Sequence, residues 1–251
     1  MKFFDVKGKE ICLEKFVNDY SKDYFLSGKG LVPGLRRSSA YVEKVITDIL
    51  DKGIKTEPDV ARILAWKIGK IRHKESEDNK KFIYASDWVN AEQLSATRYS
   101  RPFPLDTIAH DITSEITGLE KIAKEDPQGL LNTINKPEYR GMGSVYLVTL
   151  LYFLSKAEYP IFDQFAMKAL SAIKGNTAPK VGEKVGVEVE FIDLPDKQSK
   201  RFSNIMENEM AIYIGMLDEI FGDKWKTDRD IDRALWVYGH LFTGNKKSAC
   251  R

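Results

Sequence analysis

The most constraining feature of this chain is a pair of helical segments joined by a turn that contains two glycines. Asp126-Pro127 begins a short helix, and Pro137 ends it because proline lacks the N–H that continues a helix. The turn Gly141-Met142-Gly143 follows, and a strongly apolar run then predicts a helix over 144–155. A helix that is apolar on every side is normally buried, so this segment is predicted to lie inside the protein.

Most of the remaining chain also shows apolar residues at helical spacing, between breaks at glycine and proline. The predicted helices cover approximately residues 9–26, 39–53, 57–72, 107–123, 127–136, 163–173, 199–221 and 228–240. Residues 70–81 carry many charges of both signs, which predicts an exposed loop or a frayed helix end. In residues 180–195, valines alternate with polar residues, which predicts a short β-hairpin or an extended arm. The fold class is therefore mainly α with one short β element.

The composition excludes several classes of protein. The formal net charge of +2 permits a DNA-binding face but does not require one, since dedicated nucleic-acid domains often have a pI above about 9. The two cysteines, Cys12 and Cys250, exclude a disulfide scaffold and a four-cysteine zinc or iron–sulfur site. The three histidines are scattered, so no metal held by side chains is expected.

The sequence gives no sign of membrane attachment. No apolar run reaches the ~20 residues that a bilayer requires, and Asp5 stands where a secretion signal would be apolar. We therefore expect a cytoplasmic protein without a membrane partner. The absence of a heptad pattern favours a monomer.

The glycine turn has the local chemistry of a phosphate site. Glycines allow a backbone to approach a ligand closely, and the first N–H groups of the following helix have no partner within that helix. The helix dipole adds positive potential at the same end. A glycine pair alone is weak support, since Gly28-Lys29-Gly30 is a second copy without an apolar helix directly after it. The flanking helices give the pair at 141–143 its significance.

Asp163 lies 20 residues after Gly143, where a new helix is predicted to begin. It stands between Tyr159-Pro160-Ile161-Phe162 and Gln164-Phe165-Ala166-Met167-Lys168-Ala169-Leu170. Together, the hairpin, the apolar helix and the aspartate resemble the helix-hairpin-helix DNA glycosylase superfamily. Its pattern is Leu-Pro-Gly-Val-Gly, an apolar helix and an aspartate at a similar distance. The likeness is greatest to the bacterial branch similar to 8-oxoguanine DNA glycosylases, and residues 64–70 and 230–236 also resemble segments of that branch.

The resemblance implies a two-lobed helical fold and a set of partners. One lobe would comprise residues 56–154, ending in the helix-hairpin-helix motif, and the other 1–55 with 155–251, with Asp163 in the cleft between them. Duplex DNA would be the partner, held when Gly141, Gly143 and Val145 donate backbone N–H groups to one phosphate. A monovalent cation on the hairpin carbonyls is implied in the same way, and no other cofactor is expected.

The resemblance also implies a reaction. A damaged base, with an oxidised purine as one candidate, would be extruded from the duplex and its N-glycosidic bond broken. Asp163 would stabilise the oxocarbenium-like sugar and orient or deprotonate a water molecule, and its helix-capping position favours the ionised carboxylate. An extruded base needs an aromatic contact. The candidates for that contact are Tyr84, Trp88, Trp236 and Tyr238.

Three departures from the family pattern limit this interpretation. Tyr139-Arg140 stands where the family usually has Leu-Pro, and the four cysteines of the iron–sulfur branch are missing. Val145 occupies the position at which bifunctional members carry a nucleophilic lysine. Because valine has no amine to attack the sugar, the resemblance implies at most a monofunctional glycosylase that uses water and leaves the DNA backbone intact.

Two other functions fit the same sequence. A helix-hairpin-helix module that binds DNA without cleavage needs the glycines but not Asp163. A helical protein-interaction or defence-associated protein needs neither. Within each interpretation, His110 and His240 are expected to be structural, and Cys12 is expected to fill the core from a helix.

Overall fold

This computed structural model describes residues 1–25, 30–31, 40–67, 71–74, 81–84, 104–134, 136, 139, 143–189 and 205–246. The helices in these ranges are α1 Leu13–Asp23, α2 Ala40–Lys52, α3 Glu57–Lys67, α4 Leu105–Ser114, α5 Ile116–Glu125, α6 Gly129–Ile134, α7 Ser144–Leu154, α8 Gln164–Lys174, α9 Met210–Phe221, α10 Lys224–Thr227 and α11 Arg229–Gly239. The strands are β1 Phe3–Phe4, β2 Glu10–Ile11, β3 Ile71–Lys74, β4 Lys81–Tyr84, β5 Val185–Val189 and β6 Phe242–Lys246. The prediction of a mainly α fold is confirmed.

The chain divides into two discontinuous units. Unit 1 comprises Met1–Arg37, Phe162–Leu194 and Glu207–Arg251, and unit 2 comprises Ser38–Ile161 and Pro195–Met206. The first boundary differs from the predicted one at residue 55, because α2 packs against α3 and β3 within unit 2. No helix in the described ranges has the length and apolar character needed to cross a membrane.

Unit 1 is built around α11, which packs against both α1 and α8. From α11, the ring of Tyr238 contacts Phe16 and Tyr20 of α1, each at a centroid distance of 5.0 Å. On the α8 side, Ala166 and Ala169 are fully buried. The core of this unit is therefore aromatic towards α1 and aliphatic towards α8, where Leu170 and Ile173 are buried with these alanines.

Unit 2 is organised by the apolar helix α7. Every residue from Leu147 to Leu154 is buried, as the sequence predicts for a helix without a polar face. Helix α7 packs on α3, where Trp66 meets Phe153 edge-on at a centroid distance of 6.2 Å. Helix α4 covers α3 with a buried face that includes Ile108 and Ile112. Only the first turn of α7 is left towards solvent.

The strand predicted in residues 180–195 exists, and the partner that the described residues give it is a distant strand and not the second strand of a hairpin. Strand β5 pairs in parallel with β6, with Val185 opposite Phe242 and Val189 opposite Lys246. The alternation that predicted the strand is real, since Val187 and Val189 are buried. A parallel partner must come from a distant part of the chain, and here it follows α11. The tail of the predicted segment, 190–195, lies outside the described residues.

The loop predicted for residues 70–81 was wrong at both ends of this range, where the structure has strands. Strands β3 and β4 form an antiparallel pair in which Ile71 lies opposite Tyr84 and Lys74 opposite Lys81. A two-stranded antiparallel ribbon tolerates charged residues because one of its faces can stay in water. Charge density alone therefore missed the strands at the two ends of the segment, and residues 75–80 lie outside the described residues.

Several helix ends differ from the prediction. The predicted helix 107–123 is two helices, because the chain breaks at Glu115 between α4 and α5. The predicted helix 199–221 begins its α-helical part at Met210, after a π-helical turn over Ile205–Glu209. The first helix begins only after Cys12, which is exposed at its N-cap. The expectation that Cys12 fills the core was therefore wrong.

Candidate functional site

The N-terminus of α7 is an open helix end. Gly143 is its N-cap, with extended backbone angles (φ −99°, ψ −177°), and among the described residues no side chain caps it. The carbonyl oxygen of Gly143 accepts the N–H groups of Tyr146 and Leu147 at 3.0 and 3.2 Å. The N–H groups of Ser144 and Val145 come before those two N–H groups in the chain and have no acceptor within the helix. They therefore carry the positive end of the helix dipole.

Val145 marks the solvent side of this helix end. Its side chain is 49 % exposed, the only position of α7 at which a large apolar residue is so open among the described residues. The backbone beneath it is held, since the carbonyl oxygen of Val145 accepts a hydrogen bond from Thr149 Oγ1 at 2.8 Å. Gly141, the first glycine of the predicted site, lies outside the described residues, as does Met142.

The carbonyl of Gly143 does not suit the implied monovalent cation. Both hydrogen bonds that it accepts belong to the first turn of α7. A cation on the hairpin would have to be held by carbonyl groups that precede Gly143 in the chain.

Asp163 lies in unit 1 and caps α8, as the sequence predicts. Its backbone is extended (φ −134°, ψ 134°), and its Oδ1 accepts the N–H of Phe165 at 2.8 Å. The carbonyl oxygen of Asp163 also accepts the N–H of Met167 at 2.9 Å, which begins the helix ladder. The carboxylate is thus fixed at the positive end of α8, where the dipole favours its ionised form.

An aromatic cluster lies next to Asp163, and the sequence did not predict it. We call Phe165, Trp236 and His240 the Phe165 cluster. The rings of Phe165 and His240 stack at 3.6 Å between centroids with an interplanar angle of 14°, and Trp236 meets His240 edge-on at 4.4 Å. Lys168 Nζ lies 4.8 Å from the centroid of Phe165, in the range of a cation–π contact. Each of these side chains is half-buried.

The four residues predicted to contact an extruded base differ in where the structure places them. Trp236 belongs to the Phe165 cluster. It lies with His240 at the C-terminal end of α11. Tyr238 is fully buried among Phe16, Tyr20 and Phe242. Tyr238 therefore cannot stack on a base without unfolding the core, and this candidate was wrong.

The side chain of Tyr84 and the whole of Trp88 lie outside the described residues. A signal for the position of Tyr238 was present in the sequence. Ile231, Leu235 and Tyr238 recur at the i, i+4, i+7 spacing of one buried helix face, whereas Trp236 falls on another.

His240 is held by its own helix, in keeping with a structural role. Its Nδ1 lies 2.7 Å from the carbonyl oxygen of Trp236, so this nitrogen carries the proton. Burial lowers the pKa of His240, and the charges of Lys184 and Lys168 lower it further, against the opposing effects of the Trp236 carbonyl and Asp163. The imidazole is therefore neutral at physiological pH.

His110 and His240 are expected to titrate on opposite sides of the usual histidine pKa of 6.5. The carboxylate of Glu57, 2.7 Å from His110 Nδ1, raises the pKa of His110. Because the folded state favours neutral His240, the stability contributed by this group is complete above pH 6.5 and is lost as pH falls through its lowered native pKa. NMR titration of the ring protons measures both values.

Glu57→Gln is the control for that titration. It should return the pKa of His110 towards 6.5 and leave that of His240 unchanged. A titration of His240 at or above 6.5 would mean that its ring is not buried as the structure has it.

The described residues contain no group of three or more histidine, cysteine, aspartate or glutamate side chains arranged to hold a metal ion. Asp163 belongs to unit 1, and Gly143 and Val145 belong to unit 2. Their joint action on one substrate therefore stays a prediction.

Comparison of the chain with protein-family models, with curated proteins and with solved structures gives no match.

Proposed function

We propose that this protein binds duplex DNA through the N-terminus of α7 and hydrolyses the N-glycosidic bond of a damaged base. An oxidised purine is the leading candidate for that base. The observation that carries the proposal is the open end of α7, where an extended glycine precedes N–H groups without an acceptor in the helix. The first turn of α7 faces solvent and the rest of α7 is buried. The packed part of the helix therefore holds the N–H donors of its first turn in place.

The proposed binding step is independent of sequence. The N–H groups of Ser144 and Val145 bind one phosphate, aided by the helix dipole. Contacts of this kind position a protein on DNA without reading its bases. The net charge of +2 supplies little long-range attraction to DNA, so the proposal relies on local contacts of this kind.

The proposed chemical step depends on Asp163. Departure of the base leaves positive charge on the sugar, and a fixed carboxylate stabilises that charge. Asp163 also orients the attacking water molecule and accepts its proton. The valine at position 145 supplies no amine, so water is the nucleophile and the product is an abasic site in an unbroken strand. Trp236, within the Phe165 cluster, is the remaining described candidate for contact with the extruded base.

Replacing Val145 with glutamate tests the binding step. The new carboxylate would stand beside the donors that bind phosphate, and we expect duplex affinity at low salt to fall about tenfold or more. Lysine at the same position should increase affinity. Fluorescence anisotropy with a labelled duplex over a range of salt concentrations measures both changes. Val145 is 49 % exposed, so neither variant should alter folding.

Val181→Glu is the matched control for this experiment. Val181 is 75 % exposed and belongs to unit 1, and its replacement makes the same change in net charge without altering α7. Equal losses of affinity in Val145→Glu and Val181→Glu would show that only net charge matters and that α7 is not the phosphate site.

A DNA-binding module without catalytic activity is the second candidate. The capping hydrogen bond from Phe165 N–H to Asp163 favours it, because this bond gives the aspartate a structural reason to be present. The two candidates differ in whether any base is released from DNA that the protein binds.

A further inference from the structure

Two lysines of unit 1 lie beside the Phe165 cluster. Lys168 belongs to α8, and its Nζ lies 4.8 Å from the ring centroid of Phe165, which stacks on His240. Lys184 directly precedes β5, whose first residue pairs with Phe242, two residues after His240. Helix α8 packs against β5, so both lysines lie near His240.

The charges of these two lysines act on each other and on His240. Burial lowers the pKa of Lys168, and the charge of Lys184 lowers it further. Burial also lowers the pKa of His240, and both lysines add to that effect, whereas the Trp236 carbonyl and Asp163 oppose it. The charge of Asp163 raises the pKa of Lys168 as well. Two positive groups therefore act with one negative group around a neutral imidazole.

In the described part of the chain, neither Lys168 nor Lys184 has a carboxylate within ion-pair distance. Lys136 shows the usual alternative, since its Nζ lies 3.1 Å from Asp111 and 3.4 Å from Glu115. Two like charges that are held close without a counter-ion repel each other, and an anion bound between them would relieve that repulsion. The arrangement therefore favours an anionic ligand beside the Phe165 cluster.

The aromatic rings narrow the chemistry of that anion. Phe165, Trp236 and His240 are half-buried, so each keeps part of its surface exposed. Lysine ammonium groups bind phosphate as point charges, and aromatic rings contact the planar face of a base. A nucleotide carries a phosphate and a base on one sugar, whereas a simple anion would use the lysines alone. Lysines and rings in one place therefore favour the phosphate of a nucleotide.

We propose that Lys168 and Lys184 bind the phosphate of a nucleotide whose base contacts the rings of the Phe165 cluster. In the proposed function, this is the nucleotide on which Asp163 acts, so the inference rests on that function and gives it a second phosphate contact. The new contact lies in unit 1, whereas the N-terminus of α7 belongs to unit 2. A free nucleotide carries the same phosphate, and the experiment distinguishes the two sources.

His240 reports on occupancy of this site. A phosphate beside Lys168 and Lys184 would offset their positive charges, so binding should raise the pKa of His240. NMR titration of the His240 ring protons measures this rise with inorganic phosphate, thymidine monophosphate and a short duplex as probes, and with sodium chloride at equal ionic strength as the control. Thymidine monophosphate should bind about fivefold more tightly than inorganic phosphate, because its base adds a contact with the aromatic rings.

Lys168→Met and Lys184→Met test the two contacts, with thermal unfolding to check that each variant is folded. Each removes a charge and keeps most of the side chain, and we expect the affinity for thymidine monophosphate and for the duplex to fall about tenfold. Lys168→Arg keeps the charge and should bind nearly as well as wild type. Lys224→Met is the matched control for net charge, because Lys224 is exposed in α10, before the N-terminal end of α11, and His240 lies at the other end. It should lower affinity about twofold or less.

The outcomes separate this inference from the function on which it rests. Weaker binding by Lys168→Met and Lys184→Met, with Lys168→Arg and Lys224→Met close to wild type, supports the inference. If thymidine monophosphate binds in this lysine-dependent way but no duplex does, the nucleotide site stands and the proposed function fails. An unchanged pKa of His240 with every probe, equal binding of inorganic phosphate and thymidine monophosphate, or equal affinity of wild type and the two methionine variants would each show that the inference is wrong.

Discussion

Asp163→Asn is expected to lower base release by about 10²- to 10⁴-fold, the usual contribution of a positioned acid or base. Asparagine keeps the size of the side chain and caps helices as well as aspartate does. It therefore retains an oxygen that can accept the Phe165 N–H, the hydrogen bond by which Asp163 caps α8. It removes the negative charge that stabilises the sugar cation and the group that accepts a proton from water. Single-turnover measurement of base release, with folding checked by thermal unfolding, determines the loss.

The chain offers a matched control for this substitution. Asp228 caps α11 in the same way, since its Oδ1 accepts the N–H of Asp230 at 2.9 Å. Asp228→Asn should leave both stability and base release unchanged. If Asp163→Asn releases base as fast as wild type, the carboxylate is a helix cap alone and the hydrolytic mechanism is wrong.

Gly239→Ala is expected to give the largest loss of stability, with the free energy of unfolding falling by about 3 kcal/mol. A Cβ at this position would lie 1.8 Å from the carbonyl oxygen of Phe165 and 2.4 Å from its carbonyl carbon. Both atoms belong to the backbone of α8, so no side chain can move aside to make room. Helices α8 and α11 would have to separate, which would disturb the buried residues between them. Chemical denaturation measures the change.

The control for Gly239→Ala is the same substitution in an open position. Gly215 lies within α9 and is exposed, and apart from its chain neighbours and the backbone of its own helix no atom of the described residues lies within 4 Å of the position that a Cβ would take. Alanine there should raise stability by about 0.5–1 kcal/mol, because it favours the helix. Gly239→Ala should also disrupt the stacking of His240 on Phe165, so the pKa of His240 should move towards 6.5. Unchanged stability in Gly239→Ala would contradict the close contact of the two helices.

The sequence predicted best where structure follows from local chemistry. Helix α7 begins after Gly143 and α8 begins after Asp163, as the glycine turn and the capping aspartate indicated. The strand at Val185–Val189 also followed from its alternation. Its partner did not, because β6 lies beyond α9 and α11 in the chain and no local pattern joins the two.

The parts of the site that sequence could not predict depend on packing between distant helices. Phe165 and His240 stack because α11 crosses α8 at Gly239, and a glycine within a helix gives no indication of what it will contact. Lys168 and Lys184 are 16 residues apart in the chain, and lysines at a protein surface normally extend into water. Only the folded chain brings the two together.

The central claim is that this protein removes a base from DNA by hydrolysis. Mass spectrometry of duplexes that contain 8-oxoguanine, uracil or an alkylated base, after incubation with the wild-type protein, tests it most directly. The proposal predicts that a free base is released from one of these duplexes and that an abasic site remains in an unbroken strand. Tight binding to the duplexes without release of any base, or cleavage of a strand without loss of a base, would contradict it.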